Sequence, residues 1–454
     1  MGEFEISTYS ETVASSVGWR KFFLVGVVAF LLAIWPLPNS IALRQLLLLG
    51  GVLVAVSVLP SEVACLDNRK NWSIWLFFSF FLWLLFHFFL LPTNTGEQLY
   101  ELRGDWLRAF LASLIGLAVG LLFSKQGNDR RNLAMESTFI AGLSGTIVIY
   151  VARYAWEVLQ TGQWIHKDFY MEPYLGKTPM VVFGSVFLCG LFARLSNDLS
   201  PREKSVWNAI SLLAIFLVGI TYYFSNTKNG FLVFIFIFLV YTWRLLRNHA
   251  RSRTSDKLIF LLVLIVLIGF LKTHINSNPS WLNFYADVKA GNDIENNQNW
   301  KNADMYPLPV NGNGQTANGS TYERSAWATA GSILVREHPL GYGLINHSFG
   351  ALALQKWDDF YKPVGKYRHA SHSGWLDFTL GFGIPGLILV LLPMWVSFFR
   401  AANRIGFWFE FVRWSVPVVT IVFTITEVCT GHFIEFLFFY VALTSGITVN
   451  KKKT

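Results

Sequence analysis

The sequence has few charged residues. Of its 454 residues only 14% are Asp, Glu, Lys or Arg, whereas 53% are hydrophobic. A soluble domain carries about 25% charged residues, so these side chains cannot form the polar shell that a water-soluble protein of this length needs. The composition excludes soluble, disordered and fibrous proteins. It predicts an integral membrane protein that crosses the bilayer several times.

Cysteine and the common catalytic signatures are also scarce. Cys65, Cys189 and Cys429 lie far apart in or beside apolar segments. They form no C-x-x-C pair, so we interpret them as small buried hydrophobic residues and predict no disulfide framework. The sequence has no Walker A loop, no HExxH or GxSxG motif and no DxD-like carboxylate cluster. We therefore expect neither a metal nor a cofactor.

Long apolar runs dominate what remains. A hydrocarbon core about 30 Å thick is crossed by roughly 20 apolar residues in a helix. The fold class is therefore predicted as all-α, a polytopic membrane protein with about 12 transmembrane helices and one large loop that contains short helices. The predicted spans are residues 21–38, 42–60, 73–92, 106–124, 135–155, 178–195, 207–224, 229–247, 257–273, 374–399, 411–430 and 432–449.

Lys and Arg are distributed unevenly over the loops between these spans. The alternate short loops hold only Arg44, Arg103, Lys167, Lys177 and Lys228. The other set holds Arg20, Lys21, Arg69, Lys70, Lys125, Arg130, Arg131, Arg202, Lys204, Arg247, Arg251, Arg253, Lys257, Arg400, Arg404, Lys451, Lys452 and Lys453. Cytoplasmic loops carry such an excess, so both termini are predicted to be cytoplasmic. The net charge of +9 is spread over many loops, which argues against a nucleic-acid partner.

One loop is much longer than the others. Three segments are predicted: helices one to nine in residues 1–273, a large periplasmic loop in 274–373, and helices ten to twelve in 374–454. The first part of the loop, 276–320, is rich in Asn, Gly and Pro and is expected to be irregular. Residues 323–337 have helical periodicity, with apolar residues at Ala326, Trp327, Ile333 and Leu334.

Polar residues gather at the outer ends of the predicted spans and in this loop. Near the span ends they are His87, Arg153, Lys228, Glu427, His432 and Glu435, and in the loop they are Arg324, Arg336, His338, Lys362, Lys366, Arg368, His369 and His372. Ionisable residues at membrane depth usually face a cavity or a partner. Long side chains that extend to the interface are the other interpretation.

The densest cluster runs from Lys362 to Trp375, directly before an apolar span. Arg and Lys suit phosphate binding, and an imidazole can accept a proton from a hydroxyl or donate one to a phosphate oxygen. A diphosphate on an isoprenoid carrier presents its charge at this depth. Anionic lipid head groups would be attracted by the same cations, and both interpretations stay open at this point.

The motifs around this cluster resemble a known superfamily. The stretches are Arg336-Glu-His338-Pro-Leu-Gly-Tyr-Gly343, His372-Ser-Gly-Trp-Leu376 and Gly383-Ile-Pro-Gly386. In this order they are similar to the motifs of the O-antigen ligase and O-antigen polymerase superfamily, over roughly residues 205–400. The stretch from Gly176 to Gly184 is similar to one that is frequent in ligases.

The resemblance implies a metal-independent glycosyltransferase of the GT-C type that uses an undecaprenyl-diphosphate-linked glycan. The essential loop histidine of the family falls on His372 and its loop arginine on Arg324, so these two are the predicted catalytic residues. Lys228 stands where the family often has an arginine. The residues predicted to bind the diphosphate or other parts of the substrate are Lys228, Arg153, Arg336, His338, Arg368, His369 and Lys177.

The leading hypothesis is an O-antigen ligase of the bacterial inner membrane. It would transfer a glycan to a sugar hydroxyl of lipid A–core on the periplasmic face, with membrane lipid around it. The alternatives are an O-antigen polymerase with the same donor, a protein-directed oligosaccharyltransferase, or a secondary transporter or flippase. Transporters tend to have paired repeats with polar sites at the midplane, whereas here the polar residues gather at one face.

Overall fold

The computed structural model describes residues 3–124, 130–164, 175–196, 201–248, 281–357, 359–360, 370–426 and 431–452, and isolated positions between 261 and 276. In this part of the chain the regular structure is helical, and pairing between extended segments is limited to two isolated bridges. The helices are α1 (Glu3–Ile34), α2 (Ile41–Ala64), α3 (Trp72–Leu90), α4 (Thr95–Glu101), a π-helix (Leu102–Trp106), α5 (Leu107–Phe123), α6 (Arg130–Leu143), α7 (Gly145–Thr161), α8 (Lys177–Leu195), α9 (Pro201–Phe224), α10 (Lys228–Asn248), α11 (Phe284–Asn292), α12 (Gly319–Glu337), α13 (Ser348–Lys356), α14 (Gly374–Ala401), α15 (Phe407–Ile425) and α16 (Gly431–Ile447).

Many of these helices are membrane spans by length and composition. Within the described residues seven helices are long and apolar enough to cross a bilayer, or eight if the bent pair α6–α7 is one crossing. Helix α16 is apolar but shorter. The chain is thus an all-α polytopic membrane protein, as the sequence predicts. The number of twelve crossings stays a prediction, and most of the predicted span 257–273 lies outside the described residues.

The predicted span 135–155 is wrong as a single helix. The chain bends by 50° between α6 and α7, where Ser144 and Gly145 follow each other. The Ser144 hydroxyl donates to the carbonyl of Ala141 at 2.7 Å, and Gly145 packs against Ala33 of α1. Ser and Gly next to each other are a known cause of sharp helix bends.

The tightest helix pair in the bundle is α5 against α16. Gly116 and Gly120 lie one turn apart on α5, and a Cβ on either would collide with backbone carbonyls of α16, those of Phe439 and Leu443. Small residues four apart let two membrane helices approach until their backbones touch. This contact fixes α16 in the centre of the bundle, where its side chains are buried almost throughout.

The bundle has two ends of different character. At one end Arg400 donates to the Ser73 hydroxyl at 3.0 Å and to the carbonyl of Lys70, and Arg404 donates to the carbonyl of Val449 at 3.0 Å. We call this the basic end. Helix α3 runs from there to the other end, which carries the described part of the large loop and which we call the loop end. The basic end contains residues of loops that are predicted to be cytoplasmic, while the orientation itself stays a prediction.

Helix α12 is the centre of the large loop and confirms the helix predicted for 323–337. It begins four residues earlier, because the side chain of Asn318 accepts a hydrogen bond from the backbone N–H of Thr321 at 3.2 Å and caps the helix. Ala326, Trp327 and Leu334 are buried as the periodicity predicts. They belong to a second hydrophobic core, separate from that of the membrane helices.

The expectation that 276–320 is irregular is partly wrong. Helix α11 covers Phe284–Asn292 and packs along α12. Asp287 and Gly291, four residues apart, are both buried. The helix is stabilised by this contact with α12 and not by an apolar stripe, which is why the hydrophobic pattern of the sequence does not predict it.

Candidate active site

At the loop end, the glycine-containing segment around Gly341 contacts the glycine-containing segment around Gly383. The backbone N–H of Tyr342 donates to the carbonyl of Leu380 at 2.8 Å, and that of Gly343 donates to Gly381 at 2.6 Å. Gly341 and Gly383 have φ angles of 86° and 71°, in the left-handed region that glycine adopts without strain. A Cβ on Gly341 or Gly383 would also collide with the facing backbone. These glycines therefore fix the loop to the first turns of α14.

Polar side chains of α3 and α4 hold the same loop segment from the other side. Nε2 of His87 donates to the carbonyl of Leu340 at 2.7 Å. The buried Glu101 carboxylate accepts the backbone N–H groups of Ile345 and Asn346, each at 3.0 Å. Backbone groups that are buried without partners would cost stability. His87 and Glu101 therefore lock the loop onto the membrane helices.

We predict that Glu101→Ala loosens this segment without unfolding the helix bundle. Loss of the carboxylate leaves two buried N–H groups unpaired, at a cost of about 1–3 kcal/mol. Hydrogen–deuterium exchange should rise several-fold in residues 340–347. The matched control is Glu97→Ala on the same helix, because the Glu97 side chain is exposed and should not affect exchange there. Equal exchange in both variants would contradict the role of Glu101.

Arg324 and the start of α10 meet at the end of α15. Nη1 of Arg324 donates to the carbonyl of Ile425 at 3.0 Å, and Nδ2 of Asn229 donates to the same oxygen at 3.1 Å. Lys228 precedes Asn229 and is half-buried. Its ammonium is stabilised by the field of Asp287 and destabilised by that of Arg324. Arg324 of α12 and the start of α10, which carries Lys228, thus meet at the C-terminus of α15.

His372 lies on the other side of the same helix end. Its ring packs at 5.1 Å from that of Trp327, which is one turn from Arg324 on α12. Two residues after His372, Gly374 donates its backbone N–H to the carbonyl of Thr426 at 2.7 Å. The neighbouring carbonyls of Ile425 and Thr426 therefore connect the segments that carry Arg324, Lys228 and His372.

The backbone of His372 adopts an unusual conformation. Its φ angle is 56°, in the left-handed region that is uncommon for residues other than glycine, although Asn, Asp and His are enriched there. The preceding backbone is held by Asp377, whose Oδ1 accepts the N–H of Ser371 at 2.6 Å. Such strain is found mainly where the surrounding structure requires it, often at functional sites. The arrangement turns the imidazole onto Trp327.

Lys177 and Arg153 lie at the same end of the bundle. Lys177 begins α8. One turn later the carbonyl of Val181 accepts a hydrogen bond from the hydroxyl of Tyr222 at 3.2 Å. This bond links α8 to the end of α9, which Lys228 follows in sequence. Arg153 pairs with Glu157 of its own helix at 3.2 Å.

The structure separates Arg336 and His338 from Arg324. They lie at the other end of α12, and twelve residues of helix correspond to about 18 Å. Arg336 is exposed, and His338 caps the helix with its backbone N–H on the carbonyl of Leu334 at 2.8 Å. These two residues cannot contact the same phosphate group as Arg324. Several predicted residues lie outside the described part of the chain, namely Arg368, His369, Lys362, Lys366 and Glu427.

Glu435 has a role that the sequence interpretation missed. It is fully buried, and its two carboxylate oxygens accept from Arg108 at 2.6 Å and from Arg44 at 3.2 Å. Arg108 also pairs with Asp105, whose other oxygen accepts the amide of Asn346 in the loop at 3.3 Å. The sequence does contain a signal for this ion pair, because a Glu in an apolar span requires a buried partner. Its partners, however, are hundreds of residues away in sequence.

The site combines cations that can bind an anion with an imidazole that can accept a proton. Arg324 and Lys228 supply two positive charges in a partly desolvated setting, where interactions with an anion are stronger than in water. His372 supplies an imidazole. In the part of the chain that the structure describes, no three or more His, Cys, Asp or Glu side chains are grouped to hold a metal ion.

The segment that contains this site also matches a known family. Residues 213–391 match the family model described as O-antigen ligase. The match supports the assignment of this segment to the O-antigen ligase superfamily. The match extends from α9 into α14 and includes Lys228, Arg324 and His372, so it covers the same region as the resemblance seen in the sequence. It supports a function of the O-antigen ligase type. No curated protein matches the chain.

Proposed function

We propose that this protein is an O-antigen ligase that transfers a glycan from undecaprenyl diphosphate to a sugar hydroxyl of lipid A–core. The observation that carries the proposal is that the segments with Arg324, Lys228 and His372 meet at the carbonyls of Ile425 and Thr426. The reaction needs no ATP, since the bond to the diphosphate already stores the driving force. The proposal includes no metal.

Arg324 and Lys228 are proposed to hold the diphosphate. Negative charge grows on this leaving group as the bond to the sugar breaks, and fixed cations that meet the growing charge stabilise the transition state. Arg324 donates to the carbonyl of Ile425 through Nη1, and its guanidinium has five donors in a fixed plane. Lys177 and Arg153 are proposed to attract the anionic donor from the rim of the site.

His372 is proposed to act on the acceptor. Its imidazole either orients the sugar hydroxyl or takes up its proton as the hydroxyl oxygen attacks the anomeric carbon. Arg336 and His338, at the other end of α12, are proposed to contact a more distant part of the substrate. Arg368 and His369 remain candidates for the diphosphate, as their position in sequence close to His372 suggests.

The proposed location is the bacterial inner membrane, with both termini in the cytoplasm and the site in the periplasm. The distribution of Lys and Arg supports it, because Lys70, Arg400 and Arg404 lie at the basic end, opposite the site. Both substrates have lipid anchors, so the site is expected to open sideways to the outer leaflet. The segments 1–273, 274–373 and 374–454 are proposed as membrane, loop and membrane parts.

The purified protein in detergent tests this function directly. It is mixed with undecaprenyl-diphosphate-linked O-antigen and lipid A–core, with and without EDTA, and the products are separated on a gel. We predict a ladder of glycan attached to lipid A–core in both conditions. Glycan elongation on the carrier would identify a polymerase instead. Absence of any transfer would contradict the proposal and favour a transporter.

A further inference from the structure

Asp287 of α11 lies beside the segment of α12 that carries Arg324. The Ser325 hydroxyl donates to the carbonyl of Val288 at 3.0 Å. One turn further on, Gly291 is so close to the carbonyl of Tyr322 that a Cβ there would collide with it. In sequence, Asp287 directly precedes Val288, and Arg324 directly precedes Ser325. The packing of the two helices thus places Asp287 on the segment that faces the Arg324 segment of α12.

The carboxylate of Asp287 is buried and incompletely hydrogen-bonded. The residue is 0% exposed, and its Oδ1 accepts Nδ2 of Asn311 at 2.8 Å. Among the residues that the structure describes, its Oδ2 has no hydrogen-bond partner. A buried charge of this kind is stable only when it is compensated. One neutral amide does not compensate it.

The charge of Lys228 is attracted to this carboxylate. The half-buried ammonium loses hydration and is repelled by Arg324, and the attraction to Asp287 acts against both effects. Lys289, which is also on α11, is exposed and faces solvent. The three charges of Asp287, Lys228 and Arg324 sum to +1.

We propose that Asp287 is the counter-ion of the Lys228–Arg324 pair: it keeps the two cations together in the empty site and weakens the hold of the site on the diphosphate product. The second part of this role rests on the proposed function. Because Asp287 acts through the two cations, it is a positioning residue. Its removal should therefore tighten anion binding, whereas loss of a merely structural residue would weaken it.

A double-mutant cycle tests the first part without any ligand. The variants are Asp287→Asn, Lys228→Met and the double variant of the full-length protein in detergent, and the melting temperature is followed by tryptophan fluorescence. Asn keeps the shape of the side chain and an acceptor for Asn311. We expect D287N to lower the melting temperature of the otherwise unchanged protein. In the K228M background the same substitution should lower it by about half as much or less, because the partner charge is already absent. Equal falls in both backgrounds would overturn the proposal.

Binding of inorganic pyrophosphate tests the second part. We expect D287N to bind it about three- to tenfold more tightly than the unchanged protein, since the site gains one net positive charge. Binding that is equal or weaker in a folded D287N would overturn the proposal. If neither protein binds pyrophosphate, the proposed diphosphate site is contradicted, and the melting cycle alone decides on the counter-ion.

The matched control is Asp293→Asn in the same part of the loop. Asp293 is exposed and contacts Asn296, so this variant makes the same change in net charge away from the site. We expect its pyrophosphate affinity to match that of the unchanged protein. A D293N affinity as high as that of D287N would show a general charge effect and would overturn the role of Asp287.

Discussion

Replacement of His372 by Ala is expected to leave lipid A–core without polymer, while carrier-linked polymer accumulates. Loss of a positioned general acid or base reduces rates by about 10²–10⁴-fold, which is enough to remove the ladder from a lipopolysaccharide gel. His372 is the candidate whose imidazole is fixed by a strained backbone and by Trp327. Normal capping of lipid A–core by this variant would remove His372 from the mechanism.

Two further variants show whether the loss of activity comes from the missing imidazole or from a disturbed backbone. Asn is one of the few residues besides glycine that adopt a positive φ readily, so His372→Asn preserves the backbone but cannot take up the proton. We expect it to be as inactive as the Ala variant if His372 is the base, and partly active if His372 only orients the hydroxyl. His347→Ala is the control, since His347 lies in the same loop, at the start of α13. It should retain the ladder.

Local sequence patterns predicted the helices well where burial follows a helical period. Helix α12 was predicted from the spacing of its apolar residues, and Ala326, Trp327 and Leu334 are buried. The pattern failed where a helix is stabilised by single close contacts. Helix α11 owes its position to Gly291 and to the Ser325–Val288 hydrogen bond, and neither appears in a periodic pattern of apolar residues.

The bend between α6 and α7 could not be predicted for a related reason. Residues 135–155 are apolar enough for one span, and only the Ser144–Gly145 pair together with the contact to Ala33 of α1 breaks the helix. Ser and Gly also occur in straight membrane helices, where neighbouring helices satisfy the backbone. Whether such a pair bends a helix depends on the packing around it.

The candidate site was predictable as a set of residue types but not as a geometry. The resemblance to a family pointed to Arg324 and His372, and the cationic character of Lys228 follows from the sequence. The sequence could not show that Arg336 lies about 18 Å along α12 from Arg324. Nor could it show the buried carboxylates, Glu101 and Asp287, because their partners are distant in sequence or belong to other helices.

Replacement of Arg324 is expected to be as severe as that of His372 and to show why a cation alone is insufficient. Arg324→Ala should lower kcat/KM for the donor about 10³-fold, as expected when a main donor to transition-state charge is lost. Arg324→Lys keeps the charge but loses the planar guanidinium, so it cannot contact two phosphate oxygens in the bidentate geometry of Arg. We expect it to lose about 10- to 100-fold, between the unchanged protein and the Ala variant.

The split between kcat and KM decides what Arg324 does. A loss mainly in kcat means that its interaction forms in the transition state, whereas a loss only in KM means that it binds donor and transition state equally. Lys356→Ala is the matched control, because Lys356 is a loop cation that pairs with Glu337 away from the site, and it should change neither constant. If Arg324→Lys retains full kcat/KM, one point charge suffices, and the planar geometry of the guanidinium has no part in the reaction.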